Sequence, residues 1–360
     1  MLQRYYTKQS KEDVAASATA KYPYTYARVS AMKAALLKKS SYDKLLKMSL
    51  SEATSFLEST EYKKEIDELA VNYKGVELIE LAINKNLSNT YIKLRRISNP
   101  SLRVLLDTYL RRKDIANIKT VLRGKYTSSG EKEITAMLQP YELSQEFLKS
   151  LLKKQDIAEI LKEIKSISPA IWKQAHEKFM ETNMLVEIEN ALDQHYFKQV
   201  TDISSKLPTR GTLFKKFLQE EIEIINMLNI IRFKRERMDK KDIQRYVFTS
   251  GKGPDTRLKR LINAGNEETA AALESTAYGT IAKRGITEYK EKGTLIYLET
   301  DLYRHLLKKA LMLVRQMPLV ADAILGYLFA KEIEARNLKL IVKAKQLGLA
   351  QEFIEDHIIT

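Results

Sequence analysis

One pattern of residues recurs three times along this chain. The pairs Ile79-Glu80, Ile188-Glu189 and Leu298-Glu299 are separated by 109 and 110 residues. Each pair is followed by apolar residues four and eight positions later, namely Ile83 and Leu87, Leu192 and Tyr196, and Leu302 and Leu306. Such positions lie on one face of an α-helix. A period of this length is the size of a small domain rather than of a solenoid repeat, so the chain is expected to contain three copies of one helical domain.

Three long helices are predicted from apolar residues at three- and four-residue steps. The first lies between Asn99-Pro100, which suit a helix start, and Gly124, which suits an exit. The second runs from about Thr212 to Met238 and the third from about Ala321 to Leu347. We align them on Asn117, Asn229 and Asn337, at spacings of 112 and 108 residues. A further match, Leu57–Tyr62 with Leu273–Tyr278, is separated by 216 residues, or two repeat lengths.

Composition agrees with an all-α fold. Only 12 Gly and 7 Pro occur in 360 residues, too few for the many tight turns of an all-β protein. The absence of Cys excludes disulfides, thiolate zinc sites and Cys nucleophiles, and fits a reducing compartment. The predicted domains are residues 1–125, 126–238 and 239–360. The last copy is short after Leu347, and the segment around Tyr26 to Leu46 is expected to supply its missing helices.

No motif predicts catalysis, a cofactor or a metal. Ser250–Pro254 resembles a phosphate loop only faintly, because Tyr246 and Gly253 stand where a Walker loop needs Gly and a hydroxyl residue. A turn is the better interpretation, as it is for Thr127–Gly130, Pro208–Gly211 and Ser250–Asp255. The four histidines have no metal-ligand spacing. Glu80, Glu189 and Glu299 occur once per copy, which favours a repeated structural contact such as a salt bridge.

The sequence predicts no membrane span. Met1–Ala20 has no apolar core of the signal-peptide kind. The longest weakly charged stretch, Gln316–Ala330, contains Asp322 and is too short to cross a bilayer. A soluble or peripheral protein is expected.

The net charge of +15 favours an anionic partner. Cations gather near the ends of the three long helices, and we call them the C-terminal cations: Arg123, Lys125, Arg232, Lys234, Arg235, Arg237, Lys343 and Lys345. They have three interpretations: complementarity to the helix dipole, a basic rim that binds an acidic partner, or nucleic-acid binding. Against the last, no aromatic platform or recognised nucleic-acid-binding motif is present.

Two stretches resemble a known family. Tyr24–Lys33, with the sequence YTYARVSAMK, resembles the opening of the C subunit of archaeal-type ATP synthases, which is related to the d subunit of the vacuolar ATPase. Asp114–Lys125, DIANIKTVLRGK, is similar to that family's most distinctive internal stretch.

The resemblance implies a funnel of three similar helical domains around a pseudo-threefold axis. It implies a non-catalytic rotor subunit, bound to no nucleotide, between the central shaft and the membrane rotor ring of an enzyme that couples ATP synthesis to ion transport. It also implies that the protein is peripheral and lies at the cytoplasmic face of the cell membrane. On this interpretation, charge reversal at Arg232, Lys234, Arg235 and Arg237 weakens assembly with the shaft or ring. The alternative function is a basic helical repeat protein that binds nucleic acid.

Overall fold

The computed structural model describes residues 20–164, 169–206, 213–248, 256–265, 268–274, 278–316 and 318–360. These residues form nineteen α-helices and no strand, which confirms the predicted all-α class. The helices are α1 Pro23–Ala34, α2 Lys39–Lys47, α3 Leu50–Glu58, α4 Lys63–Leu69, α5 Gly75–Ile97, α6 Pro100–Tyr126, α7 Glu131–Met137, α8 Gln145–Leu152, α9 Ile157–Glu163, α10 Pro169–Thr182, α11 Val186–Lys206, α12 Leu213–Arg235, α13 Lys240–Tyr246, α14 Thr256–Asn263, α15 Thr269–Glu274, α16 Gly279–Lys292, α17 Ile296–Gln316, α18 Ala321–Gln346 and α19 Gln351–His357. The predicted turns at Pro208–Gly211 and Ser250–Asp255 lie outside the described residues, as does the N-terminal segment before Ala20.

Helix lengths recur in the same order along the chain. Helices α6 to α11 have 27, 7, 8, 7, 14 and 21 residues. Helices α12 to α17 have 23, 7, 8, 6, 14 and 21. A third series begins with α18 and α19, of 26 and 7 residues, and α2 to α5 have 9, 9, 7 and 23. One order of long and short helices is therefore seen twice without interruption. The third series, divided between the two ends of the chain, follows it except that α4 has 7 residues where α10 and α16 have 14.

The chain divides into two compact units. The first contains the described residues between 84 and 206. The second joins the described residues between 21 and 83 to those from 213 onwards. The boundaries of the three predicted domains remain a prediction.

In the first unit, α6 begins as predicted but ends differently. The side-chain oxygen of Asn99 accepts a hydrogen bond from the Leu102 backbone N–H at 2.9 Å, and Pro100 occupies the first turn. The assignment of Gly124 to the helix exit is wrong, because α6 continues to Tyr126. A Cβ atom on Gly124 would stand 2.2 Å from Cδ1 of Ile134, so glycine is needed here for close packing of α7 on α6.

The predicted apolar face of the Ile-Glu helices is confirmed in every copy. All nine of its residues are buried: Ile79, Ile83, Leu87, Ile188, Leu192, Tyr196, Leu298, Leu302 and Leu306. The aligned tyrosines Tyr62 and Tyr278 are also among the largest fully buried side chains.

In the second unit, α18 is a central helix. Every residue from Ala321 to Lys331 is buried, and the helix packs against α17, α12 and α1. A Cβ atom on Gly326 would stand 2.5 Å from the backbone oxygen of Ala310, so glycine permits the close crossing of α17 and α18. The part of the weakly charged stretch from Ala321 to Ala330 therefore belongs to a core helix. No helix in the described ranges is long and apolar enough to cross a membrane.

The N-terminal helices of the second unit contact α18 through a buried polar cluster. The Glu334 carboxylate accepts hydrogen bonds from the Leu37 backbone N–H at 2.6 Å and from the Tyr62 hydroxyl at 2.8 Å. The Lys331 ammonium lies 2.7 Å from the same carboxylate and 3.1 Å from the Tyr62 hydroxyl. Because buried charges are tolerated only when they are paired and hydrogen-bonded, this cluster specifies how the N-terminal helices pack on α18.

Candidate partner interface at the basic helix ends

In each of the three long helices, one asparagine side chain forms hydrogen bonds with the backbone of a residue that follows the helix. The Asn117 side chain donates to the Gln139 carbonyl and accepts from the Gln139 N–H, both at 2.8 Å. Asn337 makes the same pair with Ile359, at 2.7 and 3.0 Å. We call this reciprocal pair, with its partner 22 residues further on, the asparagine clasp.

The third clasp corrects the alignment of the long helices. In α12 the residue that makes it is Asn226, which pairs with Phe248 at 2.8 and 2.7 Å. The alignment on Asn229 is therefore wrong by three residues. A shift of three positions keeps apolar residues on nearly the same helix face, so periodicity alone does not detect it.

Six residues after each clasp asparagine, a cation pairs with a repeated glutamate. Arg123 lies 2.5 Å from Glu189 and Arg232 lies 2.6 Å from Glu299. Lys343 lies 3.3 Å from Glu80. These pairs confirm the predicted structural role of the three glutamates. Because the cations are about half exposed, each pair contributes roughly 0–1 kcal/mol, and its main effect is to orient the helix ends.

In each of the three long helices, a lysine lies eight residues after the clasp asparagine. The Lys234 ammonium donates to the carbonyls of Leu261 and Ala264, at 3.1 and 2.7 Å, and to the Thr269 hydroxyl at 2.9 Å. Lys345 donates to the carbonyls of Leu46 and Met48, at 2.7 and 2.6 Å. Both ammonium groups thus satisfy carbonyls at the C-terminal ends of short helices, where a cation is favoured. Burial lowers the pKa of both lysines. Lys125 occupies the same position in α6 and is half-buried.

All three long helices also end with the same backbone turn. Ser128, Arg237 and Gly348 have φ values of 55°, 57° and 67°, in the left-handed region. The N–H of the next residue bonds five positions back, from Ser129 to Gly124, from Met238 to Phe233 and from Leu349 to Ala344. This is the geometry of a Schellman motif, which prefers glycine. Only the third copy has glycine there, so the sequence alone does not show that the three turns are alike.

The C-terminal cations therefore differ in their surroundings. Arg123, Arg232, Lys234, Lys343 and Lys345 hold internal contacts, as described above. Arg235 pairs with its neighbour Glu236 at 2.8 Å, and Arg237 is exposed in the turn after α12. Arg235 and Arg237 thus expose their charges to solvent and form no bond to another helix.

A carboxylate precedes each clasp asparagine by three residues, and it is buried in Asp114 and Glu334 and half-buried in Glu223. Asp114 accepts a hydrogen bond from the Leu143 N–H at 3.2 Å, just before α8. Burial raises its pKa to about 7. Glu334 accepts from Leu37 just before α2, and Glu223 pairs with Arg257 at 2.9 Å. The stretch Asp114–Lys125, on which the resemblance rests, is therefore a set of structural contacts. The sequence analysis missed these carboxylates, although their fixed spacing from the asparagine is a usable signal.

The histidines take part in packing and hydrogen bonding. His195 lies 2.8 Å from the Gln199 amide nitrogen, and His305 lies 3.4 Å from the Glu220 carboxylate. His357 is buried between the rings of Phe353 and Tyr297. No group of His, Asp and Glu able to hold a metal ion occurs in the part of the chain that the structure describes.

Comparisons with known proteins agree with the resemblance. The family model for the ATP synthase (C/AC39) subunit matches residues 25–357. The C subunit of the A-type ATP synthase of Methanococcoides burtonii is 34% identical over 362 residues, which cover 100% of this chain and 99% of the relative. The corresponding protein of Methanosarcina barkeri is 34% identical over 97% of this chain and 96% of its own length. That of Haloferax volcanii is 28% identical over 93% and 97%.

These similarities run along nearly the whole length of each relative and include the segments that carry the asparagine clasps, the glutamate–cation pairs and the carboxylates before each clasp asparagine. The chain therefore belongs to the ATP synthase (C/AC39) subunit family.

Proposed function

We propose that this chain is a non-catalytic central-stalk subunit of an A-type rotary ATP synthase, and that it couples the central shaft to the membrane rotor ring. The observation that carries the proposal is the family match over residues 25–357, together with relatives of the same length that are named as C subunits of A-type ATP synthases. On this proposal the chain is peripheral at the cytoplasmic face of the membrane, and it contacts shaft subunits, the ring and the membrane surface. The relatives give no support to the nucleic-acid-binding alternative.

The repeated contacts suit a part that transmits torque. Such a part needs stiffness, which close-packed helices provide. In each copy the clasp fixes the connection after the long helix, and the glutamate–cation pair joins two long helices near their ends. We propose that the recurring series of helix lengths corresponds to three copies of one domain arranged as a socket around a pseudo-threefold axis.

We propose that C-terminal cations form a basic rim that binds an acidic partner. This rim is best tested at the cations that form no bond to another helix. Reversal of Arg232 or Lys234 would break internal bonds, so loss of assembly would not distinguish folding from binding. Arg235 and Arg237 are exposed at the same helix end. We expect the double variant Arg235→Glu/Arg237→Glu to keep its thermal stability and to recover less of the shaft and ring proteins when the complex is co-purified at physiological salt.

The matched control is Lys132→Glu/Lys149→Glu, two exposed lysines with the same change in charge. Equal recovery of partner subunits with both double variants would reject a functional rim at α12 and leave complementarity to the helix dipole. Failure of the unaltered chain to co-purify with either shaft or ring subunits would reject the proposed function itself.

A further inference from the structure

A local excess of positive charge lies in α1 and α2, far in sequence from the C-terminal cations. Residues 21–47 carry a net charge of +6, out of +15 for the whole chain. Seven cations, Lys21, Arg28, Lys33, Lys38, Lys39, Lys44 and Lys47, accompany a single acidic residue, Asp43. We call these seven residues the α1–α2 basic surface.

These cations are available to a partner. Six are exposed and Lys33 is half-buried. In the described part of the chain, none of the seven forms an ion pair. They are not needed to satisfy the end of α2 either, because the carbonyls of Leu46 and Met48 already accept hydrogen bonds from Lys345. The seven cations therefore carry charge that no acidic side chain in the described residues neutralises.

Three of the lysines share one face of α2. Tyr42, Leu45 and Leu46 are buried and define the inner face of this helix. Lys44 and Lys47 lie on the opposite side and Lys39 lies at the border of the inner face, so that the three fall within less than half of the helix circumference. Three flexible ammonium groups on one face can approach a flat anionic surface at the same time.

Helix α1 contributes an aromatic residue beside a cation. Tyr24 is 65% exposed at the start of α1, and the exposed Arg28 follows it by one turn on the same side. Val29 and Thr25 face inward, where α1 packs on α18. Tyrosine with neighbouring Lys and Arg is typical of residues placed at a membrane–water boundary.

The composition of the surface favours lipid over the other anionic partners. Six of the seven cations are lysine, which is depleted in protein–protein interfaces, whereas arginine is enriched there. A single-strand nucleic-acid platform needs several exposed aromatic side chains, but Tyr22 and Tyr42 are buried. A diffuse group of lysines needs only the field of anionic headgroups, which strengthens binding about five-fold for each cation near the surface.

We propose that the α1–α2 basic surface binds the anionic phospholipid headgroups of a bilayer. The inference deepens the membrane contact named in the proposed function, and it rests on that contact rather than on the shaft contact. It assigns the contact to residues that differ from the C-terminal cations.

The test is co-sedimentation of the purified full-length chain with vesicles of phosphatidylcholine mixed with phosphatidylglycerol, compared with vesicles of phosphatidylcholine alone. We expect binding only to the anionic vesicles, and we expect it to weaken as salt is raised. In the triple variant Lys39→Gln/Lys44→Gln/Lys47→Gln, the partition coefficient should fall on the order of 100-fold.

The matched control is Lys132→Gln/Lys149→Gln/Lys153→Gln, which removes three exposed lysines in the other unit. This control should bind anionic vesicles nearly as well as the unaltered chain, and both triple variants should melt at similar temperatures. An equal loss in both triple variants, or no loss in the α2 variant, would overturn the proposal. Binding to duplex RNA or to an acidic protein that depends on the α2 lysines, without binding to vesicles, would overturn it as well.

These results are independent of the rotor function. A chain that binds anionic vesicles through α2 but does not co-purify with shaft or ring subunits would keep the lipid surface and reject the coupling role. Normal co-purification without binding to anionic vesicles would support the coupling role and reject the lipid-binding surface.

Discussion

At the scale of single residues, Asp114 shows how a buried carboxylate is tolerated in this fold. It is buried at the middle of α6, and its hydrogen bond from Leu143 places the start of α8. Burial nevertheless disfavours the ionised form, so the pKa rises to about 7. Its counterpart Glu334 has the Tyr62 hydroxyl and the Lys331 ammonium close to its carboxylate, whereas no cation forms an ion pair with Asp114 among the described residues.

We expect the stability contributed by Asp114 to fall as the pH rises. The unfolded carboxyl ionises near pH 4 and the folded one near pH 7, so the unfolded state loses its proton first and the group destabilises the fold increasingly between about pH 4 and about pH 7. Asp114→Asn keeps an acceptor for Leu143 and does not ionise. Relative to the unaltered chain, its free energy of unfolding should rise by about 3 kcal/mol between about pH 5 and about pH 8, measured by urea denaturation. A difference that is the same at both pH values would contradict this account.

At the scale of helices, the long elements are placed by a few contacts at fixed distances from one asparagine. A carboxylate lies three residues before it and the glutamate-paired cation six residues after it. In α12 and α18 a lysine that caps another helix lies eight residues after it. Glycine permits close packing between helices at Gly124 and Gly326. The clasp satisfies a backbone N–H and a backbone carbonyl at once, so its loss would leave both groups without that partner.

Substitution of the α12 asparagines tests which of them is the clasp. Asn226→Ala leaves the buried N–H and carbonyl of Phe248 without their partners, so it should lower the free energy of unfolding by about 1–3 kcal/mol more than Asn229→Ala does. Thermal or urea unfolding of the two variants measures the difference. Asn229 is the matched control, since it is the same residue type in the same helix and is half-buried. Equal losses would restore the alignment on Asn229.

At the scale of the whole molecule, the two compact units differ in which parts of the sequence build them. The first contains Ala20 and the described residues between 84 and 206. The second is formed by two segments far apart in sequence, joined by the packing of α1 and α3 on α18, of α2 on α19, and by the Glu334 cluster. Without the N-terminal segment, a buried lysine and glutamate and the apolar surface of α18 would be exposed to water.

We therefore expect the two units to behave differently as fragments. Residues 84–208 expressed alone should unfold cooperatively, because their helices pack mainly on one another. Residues 209–360 alone should not, whereas co-expression with residues 21–83 should restore a cooperative transition. Circular dichroism during heating distinguishes these outcomes. Cooperative unfolding of residues 209–360 without the N-terminal segment would contradict the structural dependence described here.

Local pattern determined the all-α class, the starts of the long helices and their buried faces, because capping and 3.6-residue periodicity are properties of neighbouring residues. It also determined that Glu80, Glu189 and Glu299 make one repeated contact. Only the tertiary structure decided that Asn226 rather than Asn229 is the clasp, that Gly124 lies inside α6, and which basic residues are engaged. A shift of three residues leaves a helix face nearly unchanged, and a lysine that caps a distant helix has the same sequence signature as an exposed one. Those distinctions depend on contacts between residues far apart in the chain, which local periodicity does not record.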